Sequence, residues 1–182
     1  AMTGTKPGYD APPIDVAGGG DLVLVGDLPL AGRAPGRLGG SEYLGRHGGK
    51  DRFPAIPDDP ASLIDAIAAA AERQTTLATH DVSHGGLAVT LAEMVTEERG
   101  VSVELGDADP AIALFQEQPG RVVFETTAPA ELEAGFDGVA PTVRIGRADD
   151  SGRLSLEVGG DLLERSAGRI SDLRGVIGSE LD

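Results

Sequence analysis

Residues 78–94 read ATHDVSHGGLAVTLAEM, and the hydrophobic period changes in the middle of the stretch. Upstream, TTLATHD (75–81) is short and rich in β-branched residues, which predicts a strand. Downstream of the Gly85–Gly86 pair, Leu87, Leu91, Met94 and Val95 recur at helical spacing. They predict a helix over about 85–98, with Gly100 available to end it. A strand passing through a tight turn into a helix is the repeating unit of a layered sheet-and-helix domain. The turn is chemically dense: a helix start needs one small polar cap, and this one has His80, Asp81, Ser83, His84 and two glycines. Ser83 is the expected N-cap, its hydroxyl accepting from a backbone N–H near Gly86. Free N–H groups and the positive end of the macrodipole favour an anion such as phosphate here, with His80 and Asp81 orienting it. The same residues equally serve a structural turn, with His-Asp satisfying backbone groups and the glycines supplying positive φ. Two imidazoles without a third ligand cluster argue against a metal.

Working outward, DLVLVGD (21–27) is an apolar strand. The glycine-heavy stretch 28–60 reads as loop, with one helical turn around Ser41–Gly45. Pro60–Arg73 has helical periodicity, with Leu63, Ile64 and Ile67 as its stripe and Asp58 or Asp59 as cap. Val101–Leu105 alternates as a strand, Asp109–Glu117 is a short capped helix, and GRVVFETT (120–127) is a strong strand. PAELEAGF (129–136) reads as a helix, TVRIG (142–146) and RLSLEV (153–158) as a strand pair around RADDSG, and the closing stretch as mostly helical. Residues 1–20, ending in GGG, read as a linker or tag and the end of a preceding segment, outside the core. Residues 21–182 form the domain. Interleaved strands and helices with one hairpin predict a mixed sheet covered by helices, an α+β or α/β sandwich.

Thirty acidic residues face fifteen basic ones, for a formal charge of -15. Only Lys6 and Lys50 among the basic residues are lysines. Such a balance argues against nucleic acid or an anionic membrane as partner. Adaptation to high salt explains it, since molar salt shortens the Debye length to ~3 Å and removes most of the self-repulsion. The absence of cysteine excludes disulfides, thiolate metal sites and a cysteine nucleophile. No apolar run approaches the ~20 residues that span a bilayer. The first residues show no sign of a secretory signal, and the absence of cysteine fits the expected location, the cytoplasm.

Two further stretches carry chemistry. In RLGGSEYLG (37–45), Gly39 and Gly40 precede Ser41 at a helix start. In LFQEQPGRVVFE (114–125), Glu117 lies at a helix exit just before a strand. A carboxylate there can bind a hydroxyl or an amine, or offset a charge such as Arg121. None of the three stretches is specific by itself.

Taken in order, LGGSEYL, HDVSHGGLAVTLAEM, LFQEQPGRVV and IGRADDSGRLSL resemble the C-terminal domain of the phosphoribosylformylglycinamidine synthase large-subunit family, from about Gly20 to about Val158. The family pattern has Asp where this chain has His84, and Ser where it has Gln118. The resemblance implies an α+β fold, a three-layer mixed sheet flanked by helices like the C-terminal domain of aminoimidazole ribonucleotide synthetase. It implies an ATP-dependent ligase that turns formylglycinamide ribonucleotide and glutamine-derived ammonia into the amidine of purine synthesis. ATP and magnesium belong to the full-length enzyme, and none is expected bound to this chain alone. The implied partners are the N-terminal-type domains of the same chain, a glutaminase subunit and a small accessory subunit, with no nucleic acid and no membrane. The family's catalytic histidines, magnesium carboxylates and ATP-binding lysine lie in those N-terminal-type domains, so no catalytic residue is expected here. The ligand-binding candidates are His80, Asp81, Ser83, Gly85, Gly86, Glu117, Gly39, Gly40 and Ser41. The alternatives are a non-catalytic scaffold domain of that enzyme, or the same domain of a sister ATP-dependent synthetase.

Overall fold

The structure, a computed structural model, describes residues 11–29 and 36–179, with side chains of the last helix described through Arg174. Its strands are β1 (Asp21–Val25), β2 (Thr76–Asp81), β3 (Gly100–Glu104), β4 (Val122–Thr126), β5 (Thr142–Asp149), β6 (Arg153–Val158) and β7 (Asp161–Ser166). The helices are α1 (Glu42–His47), α2 (Pro60–Ala71), α3 (Gly86–Met94), α4 (Pro110–Phe115), α5 (Pro129–Ala134) and α6 (Ala167–Ser179). All seven strands join one sheet in the order β2-β4-β1-β5-β3-β6-β7. Only β3 and β6 run parallel; every other pairing is antiparallel.

β1 shows why the layers form. Its side chains alternate between faces, and it lies between β4 and β5 with every residue from Leu22 to Val25 buried. Leu22 and Leu24 enter one apolar cluster with Leu87, Leu91 and Met94 of α3 and Ala113 and Leu114 of α4. Val23 and Val25 enter a second with Leu63 and Ala70 of α2, Leu132 of α5 and Phe136. Helices therefore cover both faces of this part of the sheet, giving the three-layer α+β arrangement. Each fully buried Leu or Val contributes about 1.5–3 kcal/mol by leaving water. Toward β7 one face is bare: Val101 and Val103 point into the core, while Ser102 and Glu104 point outward.

The structure corrects several expectations. TVRIG and RLSLEV are not a pair, because β3 lies between β5 and β6. The C-terminal hairpin is instead β6–β7, so residues 161–166 are strand rather than helix. Gly159 and Gly160 both have positive φ (60° and 83°), the backbone a two-residue primed turn needs. The α3 helix stops at Met94, where Val95 turns extended; Thr96 and Arg99 close a turn, and Gly100 opens β3 rather than capping the helix. In α2 the buried face is Leu63, Ala66, Ile67 and Ala70, and Ile64 is turned to solvent. Asp59 is its cap, accepting from the Ser62 amide at 3.1 Å. Of the stretch read as a linker or tag, residues 1–10 lie outside the described residues, and residues 16–20 are tied to the core rather than outside it. Val16 is buried and its N–H donates to the Met94 carbonyl, while the buried Glu125 carboxylate accepts from the Ala17 and Gly20 amides at 2.6 and 3.1 Å.

Candidate functional site

β2 delivers the dense turn to one end of the sheet. Val82 is buried and donates its N–H to the Arg121 carbonyl at 2.9 Å, while Ser83 and His84 are exposed. The N-cap of α3 is Gly85 in the left-handed region (φ 81°), with no side-chain cap. Ser83 therefore does not cap with its hydroxyl; its carbonyl accepts from the Gly86 N–H at 3.0 Å. Two consecutive positive-φ glycines close the turn on backbone alone, so no side chain is needed. Gly86 also lets α4 approach, since a Cβ there would come within 2.6 Å of the Leu114 carbonyl oxygen.

The other two stretches meet the first at this end. Ser41 caps α1, its Oγ accepting from the Leu44 N–H at 3.3 Å, and Tyr43 stacks on Phe115 with ring centroids 5.1 Å apart. Gly39 donates to the Arg52 carbonyl at 3.0 Å, and Gly40 lies against the Phe53 ring. Glu117 joins the pieces: its Oε1 accepts from the Gly85 N–H at 2.9 Å and from the Glu42 N–H at 2.8 Å. One carboxylate thus lies at the positive ends of α1 and α3, where negative charge is favoured. The amides expected to face an incoming anion are, at Gly85 and Glu42, already bonded to the protein's own side chain. Of the amides at the two helix starts, those of Gly85 and Glu42 are therefore occupied by Glu117.

His80 is engaged as well. Its Nδ1 lies 2.9 Å from the Asp81 carbonyl oxygen and its Nε2 lies 3.2 Å from Glu93 Oε2, while Glu93 Oε1 accepts from Arg174 of α6. This chain links β2, α3 and α6, and leaves the Asp81 carboxylate, Ser83 and His84 as the exposed polar rim. Among the described residues no group of three or more His, Asp or Glu could hold a metal ion.

Sequence reasoning missed the support beneath Glu117. Gln116 is buried, with its Oε1 accepting from the Arg37 N–H; its Nε2 donates to Gln118, whose own amide donates to Asp27 at 3.4 Å. A cavity of about 320 Å³ opens beside them, with Arg37, Arg52 and Phe53 in its wall. Arg121 is almost fully buried, with 1% of its surface exposed. Its Nη1 donates to the Gln116 carbonyl at 3.0 Å, and its Nε and Nη2 have no hydrogen-bond partner among the described residues. Burial pushes its pKa down to about 10, against the opposing pull of Asp27. The only available signal was an arginine opening an apolar strand, which equally describes an exposed strand end.

The chain matches the family model for the AIR synthase related protein, C-terminal domain, over residues 19–159. It is 53% identical to the phosphoribosylformylglycinamidine synthase subunit PurL of Haloarcula marismortui, covering 100% of this chain and 26% of the relative. It is 54% identical to the same subunit of Natronomonas pharaonis, again covering 100% of this chain and 25% of the relative. The chain thus spans about a quarter of the length of these curated relatives. These organisms are halophilic, in line with the acidic composition. Among solved structures, the Thermotoga maritima PurL complexed with FGAR superposes with a TM-score of 0.70 at 15% identity, covering 88% of this chain and 29% of that one. The hydrogenase maturation protein HypE superposes with a TM-score of 0.57 at 21% identity, covering 85% of this chain and 55% of that one. With its fold, its motifs and these matches agreeing, the chain belongs to the AIR synthase related protein, C-terminal domain, family.

Proposed function

We propose that this chain is the C-terminal portion of a phosphoribosylformylglycinamidine synthase large subunit, an ATP-dependent ligase of purine synthesis that works in the cytoplasm. The observation that carries the reading is the meeting of the three stretches on one carboxylate. Glu117 of LFQEQPGR bonds Gly85 of HDVSHGGL and Glu42 of LGGSEYL. On this reading His80, Asp81, Ser83, Gly85, Gly86, Glu117, Gly39, Gly40 and Ser41 build one wall of a cleft, and the N-terminal-type domains of a longer chain supply the other. Exposed Phe53 and Ile56 lie toward the same end and suit such a contact. A glutaminase subunit and a small accessory subunit complete the assembly.

Magnesium-ATP supplies the activating phosphoryl chemistry in such an enzyme. The residues of this chain do not by themselves fit it: the Gly85 and Gly86 amides are bonded within the protein, and no metal-holding cluster occurs among the described residues. ATP and magnesium are therefore assigned to the N-terminal-type domains, and the chain by itself is expected to show no turnover.

A scaffold role is the second reading, favoured by the fact that Glu117 spends its carboxylate on the chain's own helices. Ser83→Ala and Glu117→Ala in the complete enzyme separate the two. Loss of turnover by at least about a hundredfold in a folded protein supports the cleft; near-normal kinetics in both variants support the scaffold. Amidine formation by this chain alone, with ammonia and ATP, would overturn the division of labour.

A further inference from the structure

Arg121 combines two features that stability alone does not reconcile. It is buried, yet only Nη1 of its guanidinium is hydrogen-bonded; Nε and Nη2 find no acceptor among the described residues. The charge that acts on it is that of exposed Asp27, and among the described residues Arg121 forms no ion pair. A buried charge left this incompletely bonded is costly, and an apolar side chain of similar length is commonly as stable or more so.

What Arg121 does hold is specific. Its guanidinium fixes the Gln116 carbonyl, one residue before Glu117. Its own carbonyl fixes the Val82 N–H, three residues before Gly85. The two halves of the Glu117–Gly85 contact are thus both hung from one residue. Gln116 is further held by the Arg37 amide, which fixes its side chain but not its carbonyl.

We propose that Arg121 is a positioning residue: its guanidinium aims the Glu117 carboxylate at the Gly85 and Glu42 amides, and is kept for that purpose at a cost in stability. The inference concerns the geometry of the contact and stands whether the end of the sheet proves a ligand cleft or a scaffold.

Residue-resolved hydrogen exchange on the 182-residue chain tests it, alongside thermal unfolding. Arg121→Met keeps the stem and removes every donor. The expected result is a Tm equal to or above that of the parent, with exchange at Gly85 and Glu42 faster by at least tenfold and exchange at Leu24 and Val123 unchanged. Arg121→Lys restores one donor to the Gln116 carbonyl and is expected to recover at least half of the lost protection, on a logarithmic scale. A chain that unfolds or loses Tm in both variants, with protection falling everywhere, would show that Arg121 serves the core and overturn the proposal. Unchanged exchange at Gly85 and Glu42 in Arg121→Met would overturn it too.

Discussion

Carboxylates decide much of this molecule residue by residue, and they work by accepting from backbone amides more than by pairing with cations. Glu125 is fully buried and takes two N–H groups of the segment before β1. Removing it orphans both donors, so Glu125→Ala is expected to lower the unfolding free energy by about 2–4 kcal/mol in urea denaturation. No change in midpoint would mean that the backbone bonds of Val16 to Met94 and of Gly19 and Gly20 to Ala148 hold the segment without Glu125. Asp51, Asp59 and Glu133 each sit below the ordinary carboxylate range. The causes are the Leu38 and Arg52 amides for Asp51, Ser62 for Asp59 and the Arg144 guanidinium for Glu133. A depressed native pKa means that the unfolded chain binds protons first. Stability from these groups is therefore full above the ordinary carboxylate range and is lost as pH falls from there through the lower native values. Stability followed from pH 6 down to 3 is expected to fall, and Asp59→Asn should flatten part of that slope. An identical slope in the variant would remove Asp59 from the account.

At the level of elements, α3 is the one whose placement decides the site. It has no side-chain cap and starts on two left-handed glycines, of which Gly86 is pressed against the end of α4. Gly86→Ala adds a Cβ at 2.6 Å from the Leu114 carbonyl oxygen and strains a φ of 66°. A loss of about 2 kcal/mol or more is expected from chemical denaturation. A neutral outcome would mean that α4 moves aside freely. In α2 the N-cap is conventional, and Asp59→Ala is expected to lower Tm in thermal unfolding, whereas an unchanged Tm would remove the cap from the account. The β6–β7 hairpin turns on Gly159–Gly160, and six paired positions hold β7 in register. These cases differ in legibility. A cap at Asp58 or Asp59 follows from local chemistry, whereas the start of α3 depends on a neighbour 28 residues away in the chain.

At the scale of the whole molecule the dominant quantity is the net charge of -15 spread over one small domain. Described ion pairs such as Arg144–Glu133 and Arg174–Glu93 neutralise part of it locally. The remainder repels itself across the surface, and only screening relieves that. Raising KCl from 0.1 to 2 M is expected to raise Tm by more than about 5 °C, with most of the gain at the low-salt end. Equal Tm at both concentrations would refute high-salt adaptation as the meaning of the composition.

The amino-acid sequence determined what depends on neighbours along the chain. The period of Leu87, Leu91 and Met94 sets α3, the apolar run of 21–25 sets β1, and the Asp-Pro pairs at 59–60 and 109–110 cap α2 and α4. The order of four short stretches was enough to point to the family. Tertiary structure decided everything that joins distant segments. It placed β3 between β5 and β6, drew Val16 into the core, and brought Glu117 onto the amides of two helices. Local pattern specifies which face of an element is apolar; it does not say which partner covers that face. A backbone N–H at a helix start looks the same in sequence whether solvent, a ligand or the chain's own carboxylate accepts from it.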